Sequence, residues 1–174
     1  MAEDNATLTL VLGGARSGKS KYAEGLMTAL SPPWIYVATA EAGDREMAER
    51  IAAHRARRGA DWHTVEAPRD VAGAIAAAGR SPVLVECLTL WLSNLLLAEA
   101  DIDAEIDRLD KSLVGATASI VLVANEVGFG IVPENALARR FRDLQGVLNQ
   151  RIAARAGRVV LVVAGLPLIV KGAP

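Results

Sequence analysis

The sequence predicts an α/β protein in which a mostly parallel β-sheet is covered by helices on both faces. Short apolar runs rich in Val, Leu and Ile alternate along the chain with longer segments of helical periodicity. The apolar runs are continuous, as in parallel strands that are buried on both faces. Hydrophobic residues make up 52% of the 174 residues, which is enough to bury such a sheet within one domain spanning 1–174.

The N-terminal half of the chain predicts strands at the apolar runs Leu8–Leu12 and Trp34–Ala38, and a short third strand at Trp62–Val65. Helices are predicted at residues 19–30, 43–58 and 70–78. The first helix carries Tyr22, Leu26 and Leu30 on one face and stops before Pro32-Pro33. Gly59 and Gly79 follow the other two helices, since glycine is typical of the position after a helix end.

The C-terminal half predicts three more strands, at Val83–Glu86, Ser119–Ala124 and Val159–Ala164, the last being the final core strand. Helices are predicted at residues 88–98, 102–114 and 136–156. The loop from Asn125 to Asn135 contains two glycines and a proline, so irregular backbone is expected there. No repeat or linker divides the chain.

Composition excludes several classes of protein. The net charge of −1 gives no global field that would attract nucleic acid or an anionic membrane. Cys87 is the single cysteine, so neither an intrachain disulfide nor a cysteine-only metal site can form. Its place in an apolar run predicts a buried thiol. The acidic N-terminus does not resemble a signal peptide, and Val159–Val170 is too short and too interrupted to span a bilayer. A cytoplasmic protein is therefore expected.

One motif, at residues 13–20, by itself predicts phosphate binding. Residues 13–20, GGARSGKS, match the pattern G-x-x-x-x-G-K-[ST] and stand between a predicted strand and a predicted helix. In such a loop backbone N–H groups surround a phosphate, and the following helix adds the positive end of its dipole. The sequence therefore predicts a P-loop NTPase-like fold. The candidate nucleotide-binding residues in this loop are Gly13, Gly14, Ala15, Arg16, Ser17, Gly18, Lys19 and Ser20.

A Mg²⁺ site is expected beside the loop. Lys19 is a point charge for the terminal phosphates, and the hydroxyl of Ser20 is a candidate metal ligand. The metal shell also needs an acidic residue at the end of a core strand. Glu86 ends the run VLVE and is the first candidate. Glu126 follows SIVLVAN and is the second, although it could equally cap a turn.

A second signal is a histidine within an arginine-rich helix. Met47, Ile51 and His54 share one face of the predicted helix, and arginines including Arg55 occupy the other faces. Guanidinium groups favour the neutral, nucleophilic imidazole and can also bind a triphosphate. A histidine on an apolar helix face is more often a core residue, so both interpretations stay open. His63 is interpreted as structural.

Six stretches together resemble a known family: GGARSGKSKYAE, RIAAHRARR, VECLTLWLSNLL, NEVGFGIVPEN, FRDLQGVLNQRIA and LVVAGLPLIVK. Their order and spacing are similar to those of the bifunctional adenosylcobinamide kinase / adenosylcobinamide-phosphate guanylyltransferases of cobalamin biosynthesis. The resemblance covers nearly the whole chain. It implies phosphorylation of adenosylcobinamide, followed by transfer of GMP from GTP to the new phosphate through a histidine–GMP intermediate.

The resemblance also implies roles for residues and partners. His54 matches the nucleophilic histidine, with Lys19 as a catalytic residue and Arg55 among the nucleotide-binding ones. Mg²⁺ would be the cofactor, with GTP and ATP as substrates beside the corrinoid. A homo-oligomer, a trimer by resemblance, is expected. The loop 125–135 would line the active site or a subunit contact. The arginines of the following helix would bind phosphate or a second subunit, or would simply be solvated: Arg139, Arg140 and Arg142.

Two other functions stay compatible with the residues. One is a plain P-loop small-molecule kinase in which His54 is structural. The other is a nucleotide-switched binding protein, although the chain shows no segment suited to a partner. A GTPase-type Asn-Lys-x-Asp motif is absent from the sequence, which leaves the residues that recognise guanine unassigned.

Overall fold

The computed structural model describes residues 7–41, 43, 45–56 and 58–173, with backbone alone for 46–48, 50, 53 and 54. The strands are β1 (Leu8–Gly13), β2 (Trp34–Ala38), β3 (Trp62–Glu66), β4 (Val83–Glu86), β5 (Ile120–Asn125), β6 (Arg158–Val163) and β7 (Leu166–Lys171). The helices are α1 (Lys19–Thr28), α2 (Arg45–Ala56), α3 (Val71–Ala77), α4 (Leu88–Leu97), α5 (Ile102–Gly115) and α6 (Ala136–Arg155).

The strands form one sheet in the order β3-β2-β4-β5-β1-β6-β7. All pairings from β3 to β6 are parallel, and only β7 runs antiparallel to its neighbour β6. β1 therefore lies inside the sheet, with β5 and then β4 on one side of it. Because ligands of open α/β sheets bind outside the carboxyl ends of the strands, the residues that follow β1, β4 and β5 are brought to one binding edge.

Helices cover both faces of this sheet, as the sequence predicts. Alternate residues along each central strand enter different cores, since successive side chains point to opposite faces. Val11 packs with Met27 of α1 on one face. Leu10 belongs to a larger core on the other face, with residues of α3 to α6 such as Leu92 and Leu148. Cys87 is buried in the α1-side core, which confirms the interpretation of this residue as a small hydrophobe.

The strand β7 is absent from the sequence prediction, which ended the strands at Ala164. Gly165 and Pro167 interrupt the apolar run that continues beyond this strand. Ala164 and Gly165 adopt φ angles of 51° and 81° and form the turn of a β-hairpin. Pro167 is accommodated because β7 is an edge strand, where a missing N–H leaves no ladder bond unmade.

Two helices also differ from the prediction. α1 ends at Thr28, so Leu30 lies beyond the helix. The buried residues of α1 are Lys19, Ala23 and Met27, whereas Tyr22 and Leu26 of the predicted face are only half-buried. α2 runs only from Arg45 to Ala56. Within the part of the chain that the structure describes, no helix is long and apolar enough to cross a membrane.

Candidate active site

The loop between β1 and α1 depends on its glycines. Gly18 has a φ of 94°, and a Cβ there would lie 3.1 Å from Gly165 Cα. A Cβ on Gly13 would lie 2.7 Å from Val162 O. The Gly165 N–H donates to Ser17 O at 2.8 Å, which ties the loop to the β6–β7 hairpin. Because the backbone lies this close to its neighbours, only glycine fits at positions 13 and 18, and the loop can then wrap around a phosphate.

Lys19 is held in the centre of the loop that it follows. It is only 8% exposed, and its Nζ donates to Gly14 O at 3.0 Å. Gly14, Ala15 and Arg16 are exposed around it. Because little water surrounds this ammonium group, its charge is weakly screened. A phosphate that enters the loop would therefore be attracted to it strongly.

The predicted metal-binding pair is in contact. Ser20 Oγ donates to Glu86 Oε1 at 2.8 Å, because the end of β4 and the first turn of α1 lie at the same edge of the sheet. Within the described ranges, no group of three or more His, Cys, Asp or Glu residues could hold a metal ion. A hydroxyl beside one carboxylate suits Mg²⁺, which keeps several waters and takes its other oxygens from nucleotide phosphates.

Glu126, the second candidate for this role, is engaged elsewhere. Its Oε1 accepts from Asn149 Nδ2 at 3.0 Å, and its backbone N–H donates to Gly13 O at 3.2 Å. These bonds join the end of β5 to α6 and to the start of the loop. Of the two carboxylates, Glu86 therefore has the contact that a Mg²⁺ ligand beside Ser20 needs.

A cavity of about 570 Å³ opens from this loop toward α2. The residues that line it and that matter below are Lys19, Ser20, Tyr36, Arg58, Glu86 and Asn125. Ile51 and Arg55 of α2 also line it, so the cavity joins the phosphate loop to the arginine-rich helix. The cavity is large enough for a nucleotide-sized ligand.

The two arginines that line the α2 end of the cavity, Arg55 and Arg58, differ in their contacts. Arg55 Nη2 pairs with Glu66 Oε1 at 2.7 Å, with both side chains more than half exposed. The guanidinium of Arg58 lies 3.5 Å from the centroid of the Tyr36 ring, as in a cation–π contact, and reaches Thr64 Oγ1 at 3.4 Å. Burial, followed by the charge of Glu86, raises the pKa of Tyr36 above its ordinary value, so its phenol stays neutral.

Beneath Glu86, the backbone is fixed by Thr39, a residue that the sequence analysis did not single out. Thr39 is fully buried. Its N–H donates to Glu86 O at 3.1 Å, while its hydroxyl donates to Cys87 O at 2.8 Å and accepts from Cys87 N at 2.7 Å. Burial raises the pKa of Cys87 to about 11, with Glu86 adding to the effect, so the thiol is not a nucleophile at neutral pH.

The contacts of His54, the predicted nucleophile, are not among those described. His54 lies in α2, but its side chain and that of Met47 are outside the described residues. His63 is exposed on the edge strand β3. The roles predicted for His54 and Arg55 therefore stay predictions.

These features define a P-loop nucleotide-binding protein. They are the mostly parallel sheet, the glycine loop between a strand and a helix, and the Lys–Ser–Glu cluster at the mouth of a cavity. A sequence model of the CobU family, described as cobinamide kinase / cobinamide phosphate guanyltransferase, matches residues 9–170. The chain belongs to this family, which confirms the resemblance seen in the sequence.

Similar proteins agree with this assignment. The chain is 50% identical over 170 residues to the bifunctional adenosylcobalamin biosynthesis protein CobP of Pseudomonas aeruginosa, covering 95% of this chain and 98% of that protein. It is 44% identical to the protein CobU of Salmonella typhimurium, covering 94% and 99%. A KaiC-like protein of Pyrococcus horikoshii shares the fold with a TM-score of 0.50 at 14% identity, covering 89% of this chain and 71% of that one.

Proposed function

We propose that this protein phosphorylates adenosylcobinamide and then transfers GMP from GTP to adenosylcobinamide phosphate, giving adenosylcobinamide-GDP and pyrophosphate. The observation that carries this proposal is the family match over residues 9–170, on a chain whose phosphate loop is complete. The relatives are named bifunctional and are matched over nearly their full length.

In the kinase step the loop amides and Lys19 would hold the terminal phosphates of ATP or GTP. Ser20 and Glu86, in contact at 2.8 Å, would hold Mg²⁺, which neutralises charge on the phosphate oxygens when bound. The cavity walls would exclude water from the transferring phosphoryl group. The hydroxyl oxygen of the corrinoid side chain would form a bond to the γ-phosphorus while the bond to the nucleoside diphosphate breaks, and the hydroxyl proton would pass to solvent.

In the second step His54 would act as the nucleophile. Its neutral imidazole nitrogen would form a bond to the α-phosphorus of GTP while the bond to pyrophosphate breaks. Lys19 would stabilise the charge that develops on pyrophosphate. The phosphate of adenosylcobinamide phosphate would then attack the same phosphorus, and the P–N bond would break and return the electron pair to the imidazole.

We further propose a homo-oligomer, a trimer by family resemblance, that works in the cytoplasm with corrinoid and nucleotide partners and without nucleic acid or membrane. Apolar side chains stand exposed along the edge strand β7 and in the loop after β5: Leu166, Leu168, Val170, Phe129 and Ile131. Exposed apolar side chains that follow one another along an edge strand or a loop are typical of subunit contacts, which supports association.

Labelling with α-³²P-GTP and Mg²⁺, followed by denaturing electrophoresis, tests the guanylyl transfer. We expect a protein-bound label that is labile to acid and stable to alkali, as a phosphoramidate is. His54→Ala should abolish the label, and His63→Ala, which changes an exposed histidine on β3, should keep it. An unlabelled wild-type protein that still binds GTP would contradict the histidine–GMP step and favour a plain P-loop kinase.

A further inference from the structure

The backbone of Asn125 is fixed from two sides. It ends β5 directly beside Gly13 of the phosphate loop, its partner in the parallel ladder. Its N–H donates to Thr89 Oγ1 at 2.7 Å, and its carbonyl accepts from Asn149 Nδ2 at 3.1 Å. Gln145, which is fully buried, donates in turn to Asn149 Oδ1 at 2.8 Å. Two helices, α4 and α6, thus each supply a buried side chain whose hydrogen bond holds this one residue.

These contacts connect two of the sequence stretches that distinguish the family. NEVGFGIVPEN begins at Asn125, and FRDLQGVLNQRIA contains Gln145 and Asn149. Burying an amide side chain in a helix that packs on an apolar core costs free energy unless the amide is hydrogen-bonded. Here the hydrogen bonds of the two buried amides hold the end of β5 beside the phosphate loop.

The side chain of Asn125, in contrast, receives no hydrogen bond from the residues that the structure describes. Among the described residues its carboxamide makes no hydrogen bond, and its Oδ1 is buried without a partner. The residue lines the cavity together with Lys19, Ser20 and Glu86. The buried Oδ1 could accept only from a donor group. Nδ2, in contrast, has no acceptor among the described residues and is not fully buried, so it is the hydrogen-bond donor that this residue offers to a ligand in the cavity.

We propose that Nδ2 of Asn125 donates a hydrogen bond to the terminal phosphate of the nucleoside triphosphate held by the phosphate loop, and that Thr89 and Asn149 position this residue. The adjacency of Asn125 to Gly13 places it beside the phosphates rather than beside the base or the ribose. An amide N–H donates well to a phosphate oxygen. The inference rests on the proposed function only in taking a nucleoside triphosphate as the occupant of the loop.

Nucleotide binding tests this assignment without relying on turnover. Dissociation constants for the β,γ-imido analogue of GTP and for GDP, with Mg²⁺, are measured by calorimetry in a His54→Ala background, which removes the proposed covalent step. Asn125→Ala should weaken binding of the triphosphate analogue about tenfold to a hundredfold and change binding of GDP less than about twofold. Gln150→Ala, which removes an exposed amide from α6, should change neither constant.

Two further variants separate the chemistry and the positioning. Asn125→Asp keeps the shape but brings a negative charge to the phosphate, so it should bind the analogue more weakly than Asn125→Ala does. Thr89→Val removes the acceptor for the Asn125 N–H and should weaken triphosphate binding by a smaller factor, while Thr89→Ser should restore it. Circular dichroism establishes that each variant is folded, and Asn125→Asp supplies the test should the alanine variant fold poorly.

Unchanged triphosphate binding by folded Asn125→Ala or Asn125→Asp would overturn the inference. Tighter binding by Asn125→Asp than by Asn125→Ala would also overturn it, because the contact would then be to a donor such as a substrate hydroxyl. Equal losses for GDP and for the triphosphate analogue would place the contact away from the terminal phosphate. A parent protein that binds neither nucleotide would instead refute the proposed function itself.

Discussion

At the loop end of the cavity Lys19 and Ser20 are held by partly buried hydrogen bonds of 3.0 and 2.8 Å. At the α2 end Arg55 pairs with Glu66 through side chains that are 57% and 73% exposed. Hydrogen bonds among buried groups keep their geometry in a low dielectric, whereas exposed ion pairs contribute about 0–1 kcal/mol. The phosphate end is therefore preorganised before ligand binds, and the surface ion pair at the α2 end does little to fix its geometry.

The largest expected effect comes from the preorganised end. Lys19→Ala should lower kcat/KM for both proposed steps by at least about a hundredfold, because a charge preplaced at the phosphates is removed. Lys21→Ala, which changes an exposed lysine on the same helix, is the matched control and should leave both rates near wild type. Steady-state assays of phosphorylation and of GMP transfer measure the change. Loss of only one of the two activities would show that the steps do not share this loop.

A smaller effect is expected beneath the loop, at Thr39. Thr39→Val keeps the shape of the side chain but leaves the N–H and the carbonyl of Cys87 without their hydroxyl partner. Each buried group left unsatisfied costs about 1–3 kcal/mol, so for two groups we expect a loss of at least about 2 kcal/mol in the free energy of unfolding. Urea titration measures it, and Thr39→Ser should recover most of it. An unchanged urea midpoint for Thr39→Val would show that the segment after β4 does not depend on this hydroxyl.

The smallest effect is expected at the exposed end. Arg55→Gln breaks the pair with Glu66 and should change the free energy of unfolding by less than about 1 kcal/mol, since water replaces both partners. The same urea titration provides the comparison with Thr39→Val. If Arg55→Gln lost as much free energy of unfolding as Thr39→Val, the α2 end of the cavity would be fixed as firmly as the loop end.

The sequence is informative about the preorganised end because regular rules apply there. A continuous apolar run followed by Gly13–Ser20 predicts strand, loop and helix together, and Glu86 follows from the requirement for a carboxylate at a strand end. Thr39 and Asn125 could not be recognised, because their roles arise from contacts between segments distant in the chain. β7 escaped prediction because Pro167 normally argues against a strand, and only the sheet order shows that it lies at an edge.

We propose above that GTP transfers its GMP group to a protein nucleophile at the P-loop, with release of pyrophosphate, before any corrinoid takes part. Exchange of ³²P-pyrophosphate into GTP, with Mg²⁺ and no corrinoid, measures this step directly. We expect the wild-type protein to catalyse this exchange and both Lys19→Ala and His54→Ala to lose it. Exchange that appears only after adenosylcobinamide phosphate is added would contradict the covalent route and indicate direct transfer of GMP to the acceptor.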